Sequence, residues 1–342
     1  MATATIQSTG ALPPAAKGIT RNTALDFTKG FLVLLMVFYH WFNYFVGPSE
    51  VYNYIRFLSP SFIFITGFIV ANVYFVKYDV HDLRLPTRLA IRGLKILAVY
   101  IVLNALIEGL LANYATSNIP LVLVSHLLGT ARPGVKDAAF PVLLPIGELL
   151  LLCAALVFAY RHSRYVVHAF CLFAFSIVVL MRIADIDNPN AELIAIGSLG
   201  IVLGMVPLAR LERIIDRPAI LTITYILFDI AVYRWKAHYA LQVIGVCLNL
   251  AIIYLVGASR WAATWLGRIV VLLGKYSLFG YISQIAILQV LRRAMPTGTS
   301  ELHLLAVSFG AAFILTTWSV MLLNAARKHS SLIDRSYKLV FA

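Results

Sequence analysis

The chain is 342 residues long, 61% of them hydrophobic and 13% charged, with a mean hydropathy of +0.86 and a formal charge of +13. That balance lies far from the soluble globular norm and excludes a soluble core as the organising element. The excess of lysine and arginine does not mark a nucleic-acid-binding domain either, because the cations sit in short clusters between apolar runs.

Residues 1–24, with "TGALPPAAKGIT", are small, polar and proline-bearing and lack the apolar stretch of a signal peptide, so they read as a cytosolic N-terminal tail. Apolar runs between polar or basic breaks then predict helices near 30–47, 60–76, 90–112, 141–160, 165–182, 191–208, 219–233, 239–257, 269–291 and 303–325. Most approach the roughly 20 residues needed to cross a bilayer. The expected fold is all-α: a polytopic bundle of about ten transmembrane helices over residues 25–326, with the lipid bilayer as its partner and a cytosolic tail at 327–342. Counting loops, 19 of the 28 Lys and Arg residues fall on the N-terminal side and 8 on the other, with Lys275 left inside the ninth helix. By the positive-inside rule both termini are cytosolic, in a multi-pass protein of the inner (plasma) membrane. Within the outer segment 113–140, "IPLVLVSHLLGTARPG" is too short to span and is expected to lie at the interface or fold back. Cys153, Cys171 and Cys247 all lie in apolar runs without metal-ligand spacing, which suits small core residues.

An ionisable side chain inside a span is costly unless it meets a polar cavity or a partner. His40 lies 11 residues beyond Lys29, which is roughly 16 Å along a helix, or half a bilayer. Such a histidine either hydrogen-bonds a neighbouring helix or acts as a base or nucleophile, roles suited to a group titrating near neutral pH. Glu148, in "LPIGELLLL", sits at a depth where a carboxylate needs a cation or histidine. Gln284 and Asn104 are candidates for interhelical hydrogen bonds. At the start of the third helix Arg88, Arg92 and Lys95 recur at three- and four-residue spacing, so one face carries three cations, enough to hold a phosphate-bearing ligand.

These residues together resemble the acyltransferase 3 family of integral-membrane acyltransferases, part of the wider superfamily with heparan-α-glucosaminide N-acetyltransferase-like proteins. Lys29 and His40, with ten residues between them, are similar to the family's basic residue and histidine, and Asp26 with Gly30 to its "D-x-x-R-G" start. "SFIFITGFIV" resembles "F-F-x-x-S-G-F", with Thr66 in place of the serine, and Arg92-x-x-Lys95 resembles the paired arginines of the third helix. "LPIGELLLL" is similar to a "W-S-L-x-x-E" segment without its tryptophan. "LLGKYSLFGYISQIAIL" resembles "L-G-x-x-S-x-x-x-Y-x-x-H", with Gln284 replacing the histidine.

The resemblance implies transfer of an acyl group, by default acetyl, from cytosolic acyl-CoA to a hydroxyl or amine of a carbohydrate or other envelope acceptor, without a metal. It implies His40 as base or nucleophile with Glu148 orienting it, and Lys29, Arg88, Arg92 and Lys95 as the donor-binding groups. Two alternatives stand beside it: a proton-coupled transporter or flippase in which His40 and Glu148 relay protons, and an inactive family member that binds a partner in polysaccharide export.

Overall fold

The computed structural model describes residues 22–47, 49–78, 81–111, 140–163, 165–236, 238–294 and 302–341. The predicted interfacial stretch, residues 119–134, and the N-terminal tail up to residue 21 lie outside the described residues. Among those described the chain is helical throughout. The helices are α1 (Thr23–Phe45), α2 (Val51–Lys77), α3 (Arg84–Leu111), α4 (Leu143–Tyr160), α5 (Val166–Ile183), α6 (Pro189–Gly204), α7 (Leu208–Ile215) and α8 (Pro218–Trp235). They continue with α9 (Tyr239–Ala258), α10 (Trp265–Lys275), α11 (Ser277–Ala294), α12 (Leu302–His329) and α13 (Ser331–Phe341). Eight are long and apolar enough to cross a membrane, or up to ten if the bent pairs α6–α7 and α10–α11 each count as one span. The all-α polytopic bundle expected from the sequence is therefore present.

Local chemistry sets the helix ends. The Asn22 side chain accepts the Leu25 amide at 3.1 Å and Asp26 lies in the first turn of α1, both favourable at a helix N-terminus. Gly47 follows the same helix at φ +86°, the left-handed conformation that glycine adopts without strain, and its amide bonds back to the Phe42 carbonyl. Asn188 caps α6 in the same manner, with Pro189 opening the helix.

α1 is the axis of the bundle, packed by α2, α9, α10, α11 and α12, with Phe27, Leu32, Val33, Met36 and Val37 fully buried. Two tight pairs, α2 with α6 and α3 with α4, form one side of it. Small residues let these backbones touch, as is usual where lipid supplies no hydrophobic drive between helices. Gly197 and Gly200 of α6 press on α2, where a Cβ on Gly200 would strike the Phe64 carbonyl. At the rim, α5, α8 and α12 turn Leu172, Phe173, Ile223, Leu227, Leu315 and Trp318 outward, a belt suited to acyl chains.

The predicted ninth helix, 269–291, is not continuous. α10 and α11 meet at 93° around Tyr276. The Tyr276 hydroxyl donates to Asn324 Oδ1 at 2.9 Å and the Arg327 guanidinium lies 5.3 Å from its ring, so side chains of α12 hold the corner. Lys275, read as lying inside a span, is instead exposed at that corner. The predicted 191–208 helix likewise stops at Gly204 and turns by 103° into the short α7.

Residues 327–342, expected as a tail, contain the end of α12 and all of α13. Arg327 donates twice to Asp334 Oδ1, at 3.0 and 2.6 Å, while Lys338 pairs with Oδ2 at 2.6 Å. The hydrogen bonds from Lys338 and Arg327 hold the Asp334 carboxyl below the ordinary carboxylate range. Tyr337 packs on Tyr276, Phe341 packs on Phe279, and the Lys338 carbonyl accepts from Lys95 Nζ at 3.2 Å. α13 thus clips α12, the start of α11 and α3 together.

Candidate active site

The basic face begins with α2. Its turn Val70–Tyr74 is a π-helix, whose extra residue rotates the remaining turn of α2 about the helix axis, a feature common at functional sites. Tyr74 and Tyr78 lie four residues apart at the end of α2, as Arg88 and Arg92 do on α3, and the antiparallel segments match them in pairs. Arg92 donates to the Tyr74 hydroxyl at 2.6 Å, and Arg88 donates to the Tyr78 hydroxyl while its guanidinium lies 4.9 Å from that ring. Both guanidinium groups are exposed, and among the described residues neither makes an ion pair with a carboxylate. Their charge is therefore open to an anion. Lys29 differs: it pairs at 2.7 Å with the buried Asp26 on its own helix.

His40 stands on α1 with its Nε2 enclosed and without a hydrogen-bond partner among the described residues. Its ring centroid is 6.0 Å from that of Tyr281 on α11. Tyr281 is itself buried among Phe62, Phe140 and His40, and its hydroxyl also has no partner among the described residues. One turn further along α11, Gln284 is fully buried with both amide atoms unpartnered, so the interhelical bond expected of it is not made among the described residues. Buried polar atoms without a protein partner are uncommon in folded proteins and are satisfied by ordered water or by a ligand.

Beside the cluster lies a cavity of about 90 Å³, walled by α2, α3, α4 and α11. Arg92 lines it, and so does Tyr281. Thr66 and Ser277, the hydroxyl positions of two of the motifs singled out in the sequence, line it as well, and Phe62, Ile96, Val142, Ile146 and Leu150 make the rest apolar. One space therefore reaches from the basic face of α3 to the tyrosine that packs on His40.

Among the candidate residues, the structure brings Arg92 to this cavity, with Arg88 and Lys95 along the same helix face. Lys29, Glu148 and His40 are not among its lining residues; His40 meets the cavity wall only through the Tyr281 ring. The cavity face of α4 repeats every four residues, Val142, Ile146 and Leu150, and Glu148 falls off that stripe. Among the described residues it neither hydrogen-bonds nor ion-pairs with His40, so the orienting contact expected of it is absent. Sequence reasoning passed over Tyr281, Tyr74 and Tyr78 as site residues. Tyr281 was present as the tyrosine of the late motif; the other two had only their four-residue spacing ahead of the basic run as a signal.

No protein-family model, curated protein or solved structure matches the chain. The likeness stated from the sequence thus rests on the motifs alone, of which three place a matched position on the cavity: Thr66, Arg92, and Ser277 with Tyr281.

Proposed function

We propose that this protein is a membrane-embedded acyltransferase that moves an acyl group from cytosolic acyl-CoA to a hydroxyl or amine of a carbohydrate or other envelope acceptor, in the inner (plasma) membrane with both termini cytosolic. The observation that carries the reading is the shared cavity: Arg92, which can hold a phosphate, and Tyr281, which packs on the buried His40, line the same space.

In the proposed reaction the nucleotide phosphates rest on Arg88 and Arg92 and the thioester enters the cavity. His40 Nε2, without a protein partner among the described residues, takes the proton from the acceptor hydroxyl as the oxygen attacks the thioester carbonyl. The new C–O bond forms, the C–S bond breaks, and the CoA thiolate leaves and recovers that proton from the imidazolium. The alternative order, in which His40 Nε2 first takes the acyl group and passes it to the acceptor, uses the same atoms. The apolar walls exclude water that would hydrolyse the thioester.

A proton-relay transporter calls for a carboxylate in reach of His40, and among the described residues none bonds its Nε2. The test is incubation of the purified protein in lipid nanodiscs with radiolabelled acetyl-CoA and a crude envelope extract. Thioester loss with label appearing in acceptor, abolished in His40→Ala, is the expected result. Equal turnover by wild type and His40→Ala overturns the reading.

A further inference from the structure

We infer that α13 is an in-plane membrane helix whose outward face lies in the headgroup zone of the leaflet on the N-terminal side of the bundle and binds anionic phospholipid. That surface takes no part in the proposed acyl transfer.

α13 has two working faces. Asp334, Tyr337 and Phe341 recur at three- and four-residue spacing and engage the bundle through Arg327, Tyr276 and Phe279. On the opposite side Leu332, Ile333, Leu339 and Val340 follow the i, i+1, i+7, i+8 pattern of a second, apolar stripe. Leu332 and Leu339 are 72% and 73% exposed, so the described residues leave that stripe uncovered.

Position along the bundle identifies what covers it. A Cβ on Gly274 would strike the Asp26 carbonyl and one on Gly280 would meet Val33, so the corner on which α13 packs, Tyr276 to Phe279, stands level with residues 26–33 of α1. There the sequence passes from the salt-bridged Lys29 to the apolar run that opens at Phe31, the boundary between headgroups and acyl chains. α13 reaches from Arg327 of α12 past the start of α11 to Lys95 of α3, and so lies across the span ends instead of prolonging α12. An amphipathic helix at this boundary buries its apolar face by about 5–10 Å.

Charge identifies the lipid. Lys275 at the corner, Lys328 in the last turn of α12 and Arg335 beside the apolar stripe are all exposed, and among the described residues none of the three makes an ion pair. Cations left open around an apolar stripe fit the phosphates of an anionic leaflet. A second copy of the chain fits less well. The 11 residues of α13 span about 16 Å, too short for the roughly 800 Å² per partner of a stable dimer.

The experiment uses the full-length protein in nanodiscs of phosphatidylcholine, alone or with one third phosphatidylglycerol. A fluorophore on Leu339→Cys, or on Leu332→Cys if the first position disturbs folding, is expected to be quenched by lipid brominated near the ester and shielded from aqueous iodide; the unsubstituted protein, labelled in parallel, supplies the background. Hydrogen exchange over residues 331–341 is expected to slow by at least about tenfold in the anionic discs, since each basic residue near such a surface strengthens binding roughly fivefold. The double variant Lys328→Gln with Arg335→Gln, which keeps Asp334, Tyr337 and Phe341, should exchange like wild type in phosphatidylcholine and lose most of the anionic gain. A label open to iodide and untouched by brominated lipid overturns the inference in favour of water or a soluble partner. A label shielded from both quenchers, with two chains per disc by mass spectrometry, overturns it in favour of a second copy. Equal exchange in the two kinds of disc overturns the anionic preference.

Discussion

Gly30 of α1 lies directly against Gly274 of α10, backbone on backbone: a Cβ on the first would strike the Val270 carbonyl and one on the second the Asp26 carbonyl. The opening motif Asp26-x-x-Lys29-Gly30 and the late motif beginning at Gly274 are thus two halves of one helix crossing. It sets how α11, which follows the corner at Tyr276, stands beside α1, and hence the spacing of His40 and Tyr281.

Alanine at Gly30 or Gly274 should therefore force the crossing apart. Overpacking of this kind costs about 1–3 kcal/mol, and both sites abut backbone that has no rotamer with which to yield. Thermal unfolding in detergent should show the loss for either variant, whereas Gly310→Ala on α12, with open space around its Cβ, should leave the midpoint unchanged. Wild-type midpoints for Gly30→Ala and Gly274→Ala would refute the crossing.

His40→Ala should lower acyl transfer by roughly a hundred- to ten-thousand-fold, the contribution of a positioned general base, without lowering the unfolding midpoint. Its Nε2 has no protein hydrogen bond to lose among the described residues, so stability and activity separate cleanly. A variant that loses both together would mean that the histidine serves packing.

Arg92→Gln removes a charge-assisted hydrogen bond worth about 1.5–3 kcal/mol, which corresponds to about a 10- to 150-fold rise in KM for acyl-CoA. Tyr74→Phe, which frees the guanidinium from its partner, should shift KM by only about threefold on the same scale. Glu148→Gln should change neither kcat nor KM by more than about twofold, because it lies off the cavity stripe. A large loss in Glu148→Gln would restore that residue to the site.

The α13 clip depends on pH in a definite direction. The folded state holds Asp334 below its ordinary range through Lys338 and Arg327. A depressed carboxylate contributes stability that is complete above the unfolded value, about 4, and is lost as pH falls through the lower folded value. Hydrogen exchange over residues 331–341 should stay slow from pH 8 to 5 and quicken only below about 4. Asp334→Asn should exchange quickly at pH 7; slow exchange there would show that the aromatic contacts of Tyr337 and Phe341 suffice.

Position along each helix was readable in the sequence and azimuth was not. The 11 residues from Lys29 to His40 placed the histidine well along α1, where it stands, and the hydropathy runs located nearly every helix. Glu148 falls within α4 as expected, yet rotation about α4, set by how Leu150 and its neighbours pack on α3 and α6, turned it away from the cavity. The corner at Tyr276 escaped notice because hydropathy runs unbroken through "VVLLGKYSLFGYI". What bends the chain there is a hydroxyl reaching Asn324 and a guanidinium from Arg327, partners 48 and 51 residues away. Tyr281 could be weighed only once four helices were seen to enclose one space.

The docking of α13 bears on how the protein is best handled. Phe341, the last residue of α13, packs on Phe279, two residues beyond Ser277 in the cavity wall. A purification tag or fluorescent fusion joined close behind α13 would load the helix that packs beside that wall. Preparations carrying a fusion behind α13 should be judged inactive only after the fusion has been cleaved.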